Sequence, residues 1–372
     1  MEVFSKADFD ARGAANNLQK ALIAGTGPYQ FTERQLGAYL RYQRASDKHW
    51  RVTPDFPEFE FRWMKEGSTR LAALLAGEIH IADLPEDLKG QATKQPGFQI
   101  VKGKVPALRT FLSLYCCQFK DLSDWSKGWA FPDTPLKDVR VRKALSRAIN
   151  RDELNKAFFA NKGEIMVLNN FYPNRPGWNP DWEKRFRDEY GFDQAKAKAL
   201  LAESGFGPGK ALTTNIVLQP VAGYSGAEDV AEAIAGYWRQ IGVDVKTTPM
   251  DPAAFENSRR ALKFENDIVV DGTNATQWTG TLSYGSSLGV RRGVELAELD
   301  TLLKQLNATL DEKGQAEKWR QVGDKRFELA LDVPLFWLPV EAVVNTKIVS
   351  DWLFPGSLTG SWSHVQNIKA AR

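Results

Sequence analysis

The segments "TTNIVLQP" (213–220), "AEDVAEAIAGYWRQIG" (227–242) and "VDVKTTPM" (243–250) follow one another closely, and their order decides the fold class. The first is dominated by β-branched and apolar residues and stops at a proline, which reads as a strand. In the second, Val230, Ile234, Tyr237, Trp238 and Ile241 recur three or four residues apart, so they share one helix face, and Gly242 ends the helix. The third is a second strand. Strand, helix and strand in that order imply a crossover between parallel strands, so the unit predicts a mainly parallel sheet in an α/β lobe. At 372 residues the chain exceeds one ordinary domain, and two lobes with separate cores are expected.

The same alternation continues on both sides. Downstream come "AFENSRRALKF" and the strand "DIVVDG". Leu296, Leu299, Leu302, Leu303 and Leu306 then stripe a helix, another helix spans roughly 312–331, and "VPLFWLPVEAVVN" closes with strands. Upstream, Asp193 opens a helix ended by Gly205, and Asn150 with Glu153 forms a capping box. Asp138 opens a helix whose buried face carries Val141, Leu145, Ala148 and Ile149. Nearer the amino terminus, "TFLSLYCC", "FQIVKG", "EIHIAD", "FEFRWM" and "YQFTERQLGAYLRYQR" read as strands, with a Ser68-capped helix closed by Gly77 among them. Residues 3–22 read as a short polar helical lead-in. Two long loops stand out, "FKDLSDWSKGWAFPDTP" and the aromatic-laden "NNFYPNRPGWNPDW".

Composition removes several function classes. Lys+Arg of 49 against Asp+Glu of 46 leaves +3, which gives no basic stripe for a nucleic acid. Cys116 and Cys117 are adjacent, so they make neither a disulfide framework nor a zinc spacing, and they read as a small buried pair on a strand. No run of 18 apolar residues is present to span a membrane. "MEVFSKADFDARG" has no apolar core after a basic start, so the chain as written carries no secretory signal. His49, His80 and His364 lie far apart in none of the metal spacings, and neither a metal nor a cofactor is implied.

Glycine-rich stretches do not supply a nucleotide site. "AGTGPYQF" (24–31) lacks the third glycine of a dinucleotide fingerprint and leads into a strand, where the phosphate-binding turn needs a helix. "SGFGPGKA" (204–211) puts Ser204 where a P-loop has its first glycine and Ala211 where the magnesium-binding hydroxyl belongs. "GYSGA" around Ser225 misses the second glycine of a nucleophile elbow. A hydrolase acting on glycans or peptides through paired carboxylates has no spacing signature, and stays open as a rival from a different class.

Several segments together resemble one family, the family 5 (peptide/nickel/oligopeptide type) solute-binding proteins of bacterial ABC importers. These are "GTGPYQF" (25–31) with "GAYLRYQRASDKHW" and "STRLAALLAGEIHIAD", then "PLKDVRVRKALSRAINRDEL" (135–154). "FDQAKAKALLAESGF" with "GYWRQIGVDV" comes next, followed by "LAELDTLLKQ" and "DVPLFWLP". They occur in the family's order and cover nearly the whole chain. The resemblance implies a two-lobed periplasmic-binding-protein-like α/β fold (class II, cluster C type), with mixed sheets flanked by helices. Lobe I would comprise residues 1–107 and 345–372, its amino-terminal part missing, and lobe II residues 108–344, with hinge crossovers near Leu108 and Asn345. It also implies a periplasmic or extracellular, membrane-associated monomer that captures an oligopeptide or other oligomeric solute between its lobes and delivers it to an inner-membrane ABC permease. The GTGPY turn then has a conformational role, its glycines giving backbone freedom and Pro28 fixing the turn.

The chain departs from that pattern in two places. It begins where a member would already have passed its signal peptide and the first part of lobe I, which leaves a truncated remnant that binds nothing as a further alternative. Peptide-binding members also resemble "W-x-A-D" in the cleft, with the Asp pairing the ligand's amine, and alignment puts "TNAT" (273–276) there. Thr276 carries no charge, which favours a neutral ligand such as an oligosaccharide or a capped peptide, although Asp271 is near enough to restore a free peptide. Within "TNATQWTGTLSYG", Trp278 and Tyr284 offer flat faces for stacking. Asn274, Thr276 and Gln277 offer hydrogen bonds to hydroxyls or amides. The aromatics Phe171, Tyr172 and Trp178 form a weaker candidate patch, and Arg291 with Arg292 would suit an anionic ligand.

Overall fold

The structure, a computed structural model, describes residues 6, 7, 10, 25–103, 106–221, 226–273, 277–283, 286–289, 293–352 and 364–372. The chain divides into two compact units. Among the described residues, the first holds those up to 103 together with 341–352 and 364–372, and the second holds 106–340.

The first unit opens with a hairpin, β1 (Tyr29–Gln35) and β2 (Tyr39–Arg44), extended by antiparallel β3 (Glu58–Arg62). One face carries Phe31, Tyr42, Phe59 and Phe61 in edge and tilted ring contacts. Period-two alternation puts the ion pairs of Arg41 with Glu33 and Glu60 on the other face. Pro28 is buried and its carbonyl receives the Ala45 N–H, so the proline does pin the entry to β1. Gly27, however, is not in the left-handed region, and a Cβ there would meet nothing closer than 3.7 Å. The backbone freedom expected of Gly27 is therefore not used. The helix Gly67–Ala76 starts after Glu66 with no side-chain cap, so Ser68 lies in its first turn rather than capping it, while Gly77 ends it at φ 77°. The strand read in "EIHIAD" shrinks to β4 (Ile81–Ala82), followed by the helix Glu86–Thr93 and β5 (Phe98–Lys102).

The second unit is built on one six-stranded sheet, made of β6 (Leu108–Tyr115), β7 (Glu164–Ile165), β8 (Thr213–Leu218), β9 (Asp244–Pro249), β10 (Asp267–Thr273) and β11 (Val333–Leu338), in the order β7-β11-β6-β10-β8-β9. β8 runs parallel to β9 and β10, as the strand–helix–strand reading requires. The remaining pairs, β10–β6, β6–β11 and β11–β7, are antiparallel, so the expected mainly parallel sheet is in fact mixed. Every residue of β6 and β11 is buried, the mark of strands covered on both faces.

Helices supply the cover. Asp138 caps Val139–Arg147 through the Arg140 N–H, Asn150 caps Arg151–Phe159 through the Glu153 N–H, and Asp193 caps Gln194–Glu203 through the Lys196 N–H. In Ala227–Gln240, Val230, Ile234 and Trp238 are fully buried, and the Trp238 indole donates to the Leu145 carbonyl at 2.9 Å. Cys116 and Cys117 are buried just beyond β6, with burial first and the adjacent thiol second holding the Cys116 thiol protonated. After β11 the chain returns to the first unit as β12 (Glu341–Asn345), which lies between β4 and β5 and puts Val343 into the core of Leu74, Ala82, Leu84 and Ala92. β13 (Val349–Trp352) pairs with β14 (Ile368–Ala370). Leu108 is thus the first residue of β6 and Asn345 the last of β12.

Candidate functional site

The segment singled out in sequence follows β10 directly. The β10–β6 register sets Thr273 opposite Arg109, and the β11–β6 register sets Trp337 opposite the same Arg109. One end of the sheet therefore gathers Arg109, Thr273 and Trp337. Past β10, residues Gln277–Ser283 form a short helix. Asn274, Thr276, Tyr284, Arg291 and Arg292 lie outside the described residues.

That helix rests on the aromatic loop. The Gln277 side chain donates to the Pro176 carbonyl at 3.0 Å, and the half-buried Trp278 ring meets Trp319 edge-on at 6.0 Å between centroids. Gly280 abuts the loop most closely: a Cβ there would fall 2.1 Å from Asn170 Oδ1 and 2.7 Å from Arg109 Nη1. The loop in turn lies over the helix Glu312–Leu329. Phe171 packs edge-on against Trp182 and Trp319, and Trp178 against Trp182. Glycine allows this closeness at two points. Gly177 has φ 78° with its Cβ position 2.5 Å from Trp319 Cβ, and at Gly323 a Cβ would strike the Trp182 ring at 2.3 Å. Phe171 is accordingly a core residue, and the loop packs both on itself, through Trp182, and on the helix Glu312–Leu329.

A buried polar chain runs beneath these aromatics. Arg109 Nη1 donates to Asn169 Oδ1 at 3.0 Å, Asn169 Nδ2 donates to Asp332 Oδ2 at 2.9 Å, and Asp332 takes an ion pair from the buried Arg326. Asp271, also buried, accepts from Ser113 Oγ at 3.3 Å and from the Gly272 N–H at 3.0 Å. Beside this chain stands Arg175, whose guanidinium lies 5.0 Å from the Trp337 ring centre and donates to the Asn170 carbonyl at 2.8 Å. Burial alone pushes its pKa down to about 10. Tyr172, edge-on to Trp337, donates to Glu164 at 2.8 Å, and burial first, then that bond, pushes its hydroxyl up to about 12.

The structure thus joins two stretches that sequence reading kept apart, the Trp278 segment and the 169–182 loop. Gln277 and Asp271 already have protein partners. Arg109, Asn169, Asn170, Arg175, Gly280 and Trp337 were not singled out beforehand. Arg109 had a visible signal, a cation in the otherwise apolar "LRTFLSLY", whereas the two asparagines were hidden among turn-forming residues.

Comparison with known proteins adds the following. The profile of the bacterial extracellular solute-binding proteins, family 5 (middle) matches residues 2–289. The chain is 29% identical over 282 residues to the dipeptide-binding protein of Escherichia coli K12, covering 75% of this chain and 47% of that one. It is 23% identical to the oligopeptide-binding protein AppA of Bacillus subtilis 168, covering 87% and 58%. AppA in complex with a nonapeptide superposes with a TM-score of 0.75 at 17% identity, over 100% of this chain and 72% of that one. NikA of Brucella suis in complex with Fe(III)-EDTA superposes with a TM-score of 0.69 at 20% identity, over 93% and 68%. The chain spans about half the length of the curated relatives it matches.

Proposed function

The chain belongs to the bacterial extracellular solute-binding proteins of family 5, and from that premise we propose that it is the solute-capturing component of an ABC importer. The family match over residues 2–289 carries the proposal. The solute is an oligopeptide or a comparable oligomer, in keeping with relatives named for dipeptides and oligopeptides. It is taken up between lobe I (1–107 and 345–372) and lobe II (108–344), which bend about Leu108 and Asn345, and is passed unchanged to an inner-membrane permease. No described helix is long and apolar enough to cross a membrane. The protein acts as a monomer in the periplasm or outside the cell, a reading that membership of the family supports.

The mechanism is selection of a closed state: ligand shifts a hinge equilibrium only by binding the closed form better than the open one. Within lobe II, the half-exposed face of Trp278 stacks on the solute, with Asn274, Thr276 and Tyr284 beside it. Gln277, bonded to Pro176, holds that segment on the loop, and Asp271 is a further contact, held ready by Ser113. Incubation of the 372-residue protein with a defined peptide digest, followed by gel filtration and native mass spectrometry, tests the reading. Retention of peptides with unaltered masses supports it, while cleaved products or no retained peptide contradict it.

A further inference from the structure

Successive side chains of an extended strand point to opposite faces, so two adjacent cysteines inside β6 would hold their sulfurs apart. The chain avoids this by ending β6 at Tyr115 and turning at once. The Gln118 N–H donates to the Cys116 carbonyl at 2.9 Å, which closes a three-residue turn centred on Cys117. The two side chains meet, one thiol donating to the other, with the sulfurs 2.8 Å apart. Glu295 holds the turn from a distant part of the chain. Its N–H donates to the Cys117 carbonyl at 2.9 Å, and its carboxylate accepts from the Phe119 N–H at 2.7 Å. Both cysteines are 0% exposed. The buried Arg142 guanidinium donates to the carbonyls of Leu136, Lys137, Leu329 and Ala330, and it lies within electrostatic reach of both sulfurs.

We propose that Cys116 and Cys117 are a reversible redox pair, closing to a disulfide between neighbouring residues under oxidising conditions. Within the chain neither has another partner, since these are its two cysteines. The oxidant is a low-molecular-weight disulfide such as oxidised glutathione. One cysteine thiolate attacks a glutathione sulfur and expels a glutathione thiolate, and the neighbouring cysteine then attacks the mixed disulfide and expels the second. In sum the two thiols lose two electrons and two protons, and the oxidant leaves as two molecules of reduced glutathione. Burial opposes the thiolate that starts the exchange, whereas the nearby Arg142 cation favours it. The bridge itself carries no charge, so the surroundings that penalise the thiolate do not penalise the product. Exchange proceeds through opening of the 116–118 turn, because the folded chain closes off both sulfurs. Consecutive Cα atoms stand about 3.8 Å apart, short of the roughly 4.4–6.8 Å that a relaxed disulfide spans. A bridge here is accordingly strained and readily reduced, as regulatory disulfides are and structural ones are not. The pair lies at the other end of β6 from Arg109 and does not depend on the solute-binding reading.

The test equilibrates the full 372-residue protein in glutathione buffers of rising oxidised-to-reduced ratio, then alkylates it with N-ethylmaleimide in denaturant and measures the intact mass. Reduced protein takes up two adducts, one per cysteine. With rising ratio it is expected to convert, independently of protein concentration, to a form two hydrogens lighter that takes up none, and reduced glutathione should reverse the change. In Cys116→Ser and in Cys117→Ser the remaining thiol should stop at the mixed glutathione disulfide, and the wild-type measurement stands whether or not either variant folds. The oxidised form should melt no higher than the reduced form, because a bridge between neighbours closes almost no loop. The proposal is overturned if both thiols remain alkylatable at every ratio, or if oxidation stops at glutathione adducts or joins two chains. It is also overturned if the oxidised form melts well above the reduced one, which would make the bridge a structural staple.

Discussion

A methyl group at position 280 has nowhere to go: Asn170 Oδ1 and both terminal nitrogens of Arg109 lie within 3 Å of the Cβ position. All three are side-chain tips, so they would shift rather than break the backbone. Gly280→Ala is therefore expected to destabilise by about 1–3 kcal/mol, the usual cost of overpacking. Denaturant unfolding of both proteins checks it. Trp278→Ala should remove ligand-induced stabilisation with little effect on the unliganded fold, since the ring is half exposed and makes one edge contact among the described residues. At this scale the sequence was only partly legible. Trp278 announced itself as a large aromatic in a polar loop, whereas the closeness of Asn170 and Arg109 to Gly280 arises only on packing, and no spacing encodes that.

Among elements, the helix starts were readable because capping is local: Asp138, Asn150 and Asp193 each hold the amide expected of them. Asp138→Ala should cost about 1 kcal/mol. The Arg140 side chain first, and the Arg140 N–H as well, hold the Asp138 carboxyl below its ordinary pKa. A carboxylate with a depressed folded pKa contributes stability above its unfolded pKa of about 4 and loses it as pH falls through the lower folded value. The gap between wild type and Asp138→Ala should thus be constant near neutrality and close below about pH 4, measurable by denaturant titration across pH. Strand direction was less legible, because pairing such as β10 with β6 joins residues more than 150 positions apart and nothing in a strand's own alternation states its partner. The aromatic loop gives a sharper contrast. Gly177→Ala would press a Cβ to 2.6 Å from the Arg320 backbone nitrogen at a φ of 78°, so it should lower the melting temperature more than Gly280→Ala does.

For the whole molecule, the strand–helix–strand core and the ordered series of family-like segments pointed to a two-lobed binder, and the division into two compact units accords with two cores in a chain of this length. The solute was not legible at that level, because a shared fold does not carry a ligand's identity. On the proposed reading, solute draws the two lobes together and leaves unchanged. Small-angle X-ray scattering of the full 372-residue protein, titrated with a solute identified by native mass spectrometry, tests it most directly. The radius of gyration is expected to fall saturably with solute while the solute's mass stays constant; saturation with an unchanged scattering curve, or consumption of the solute, would overturn that reading.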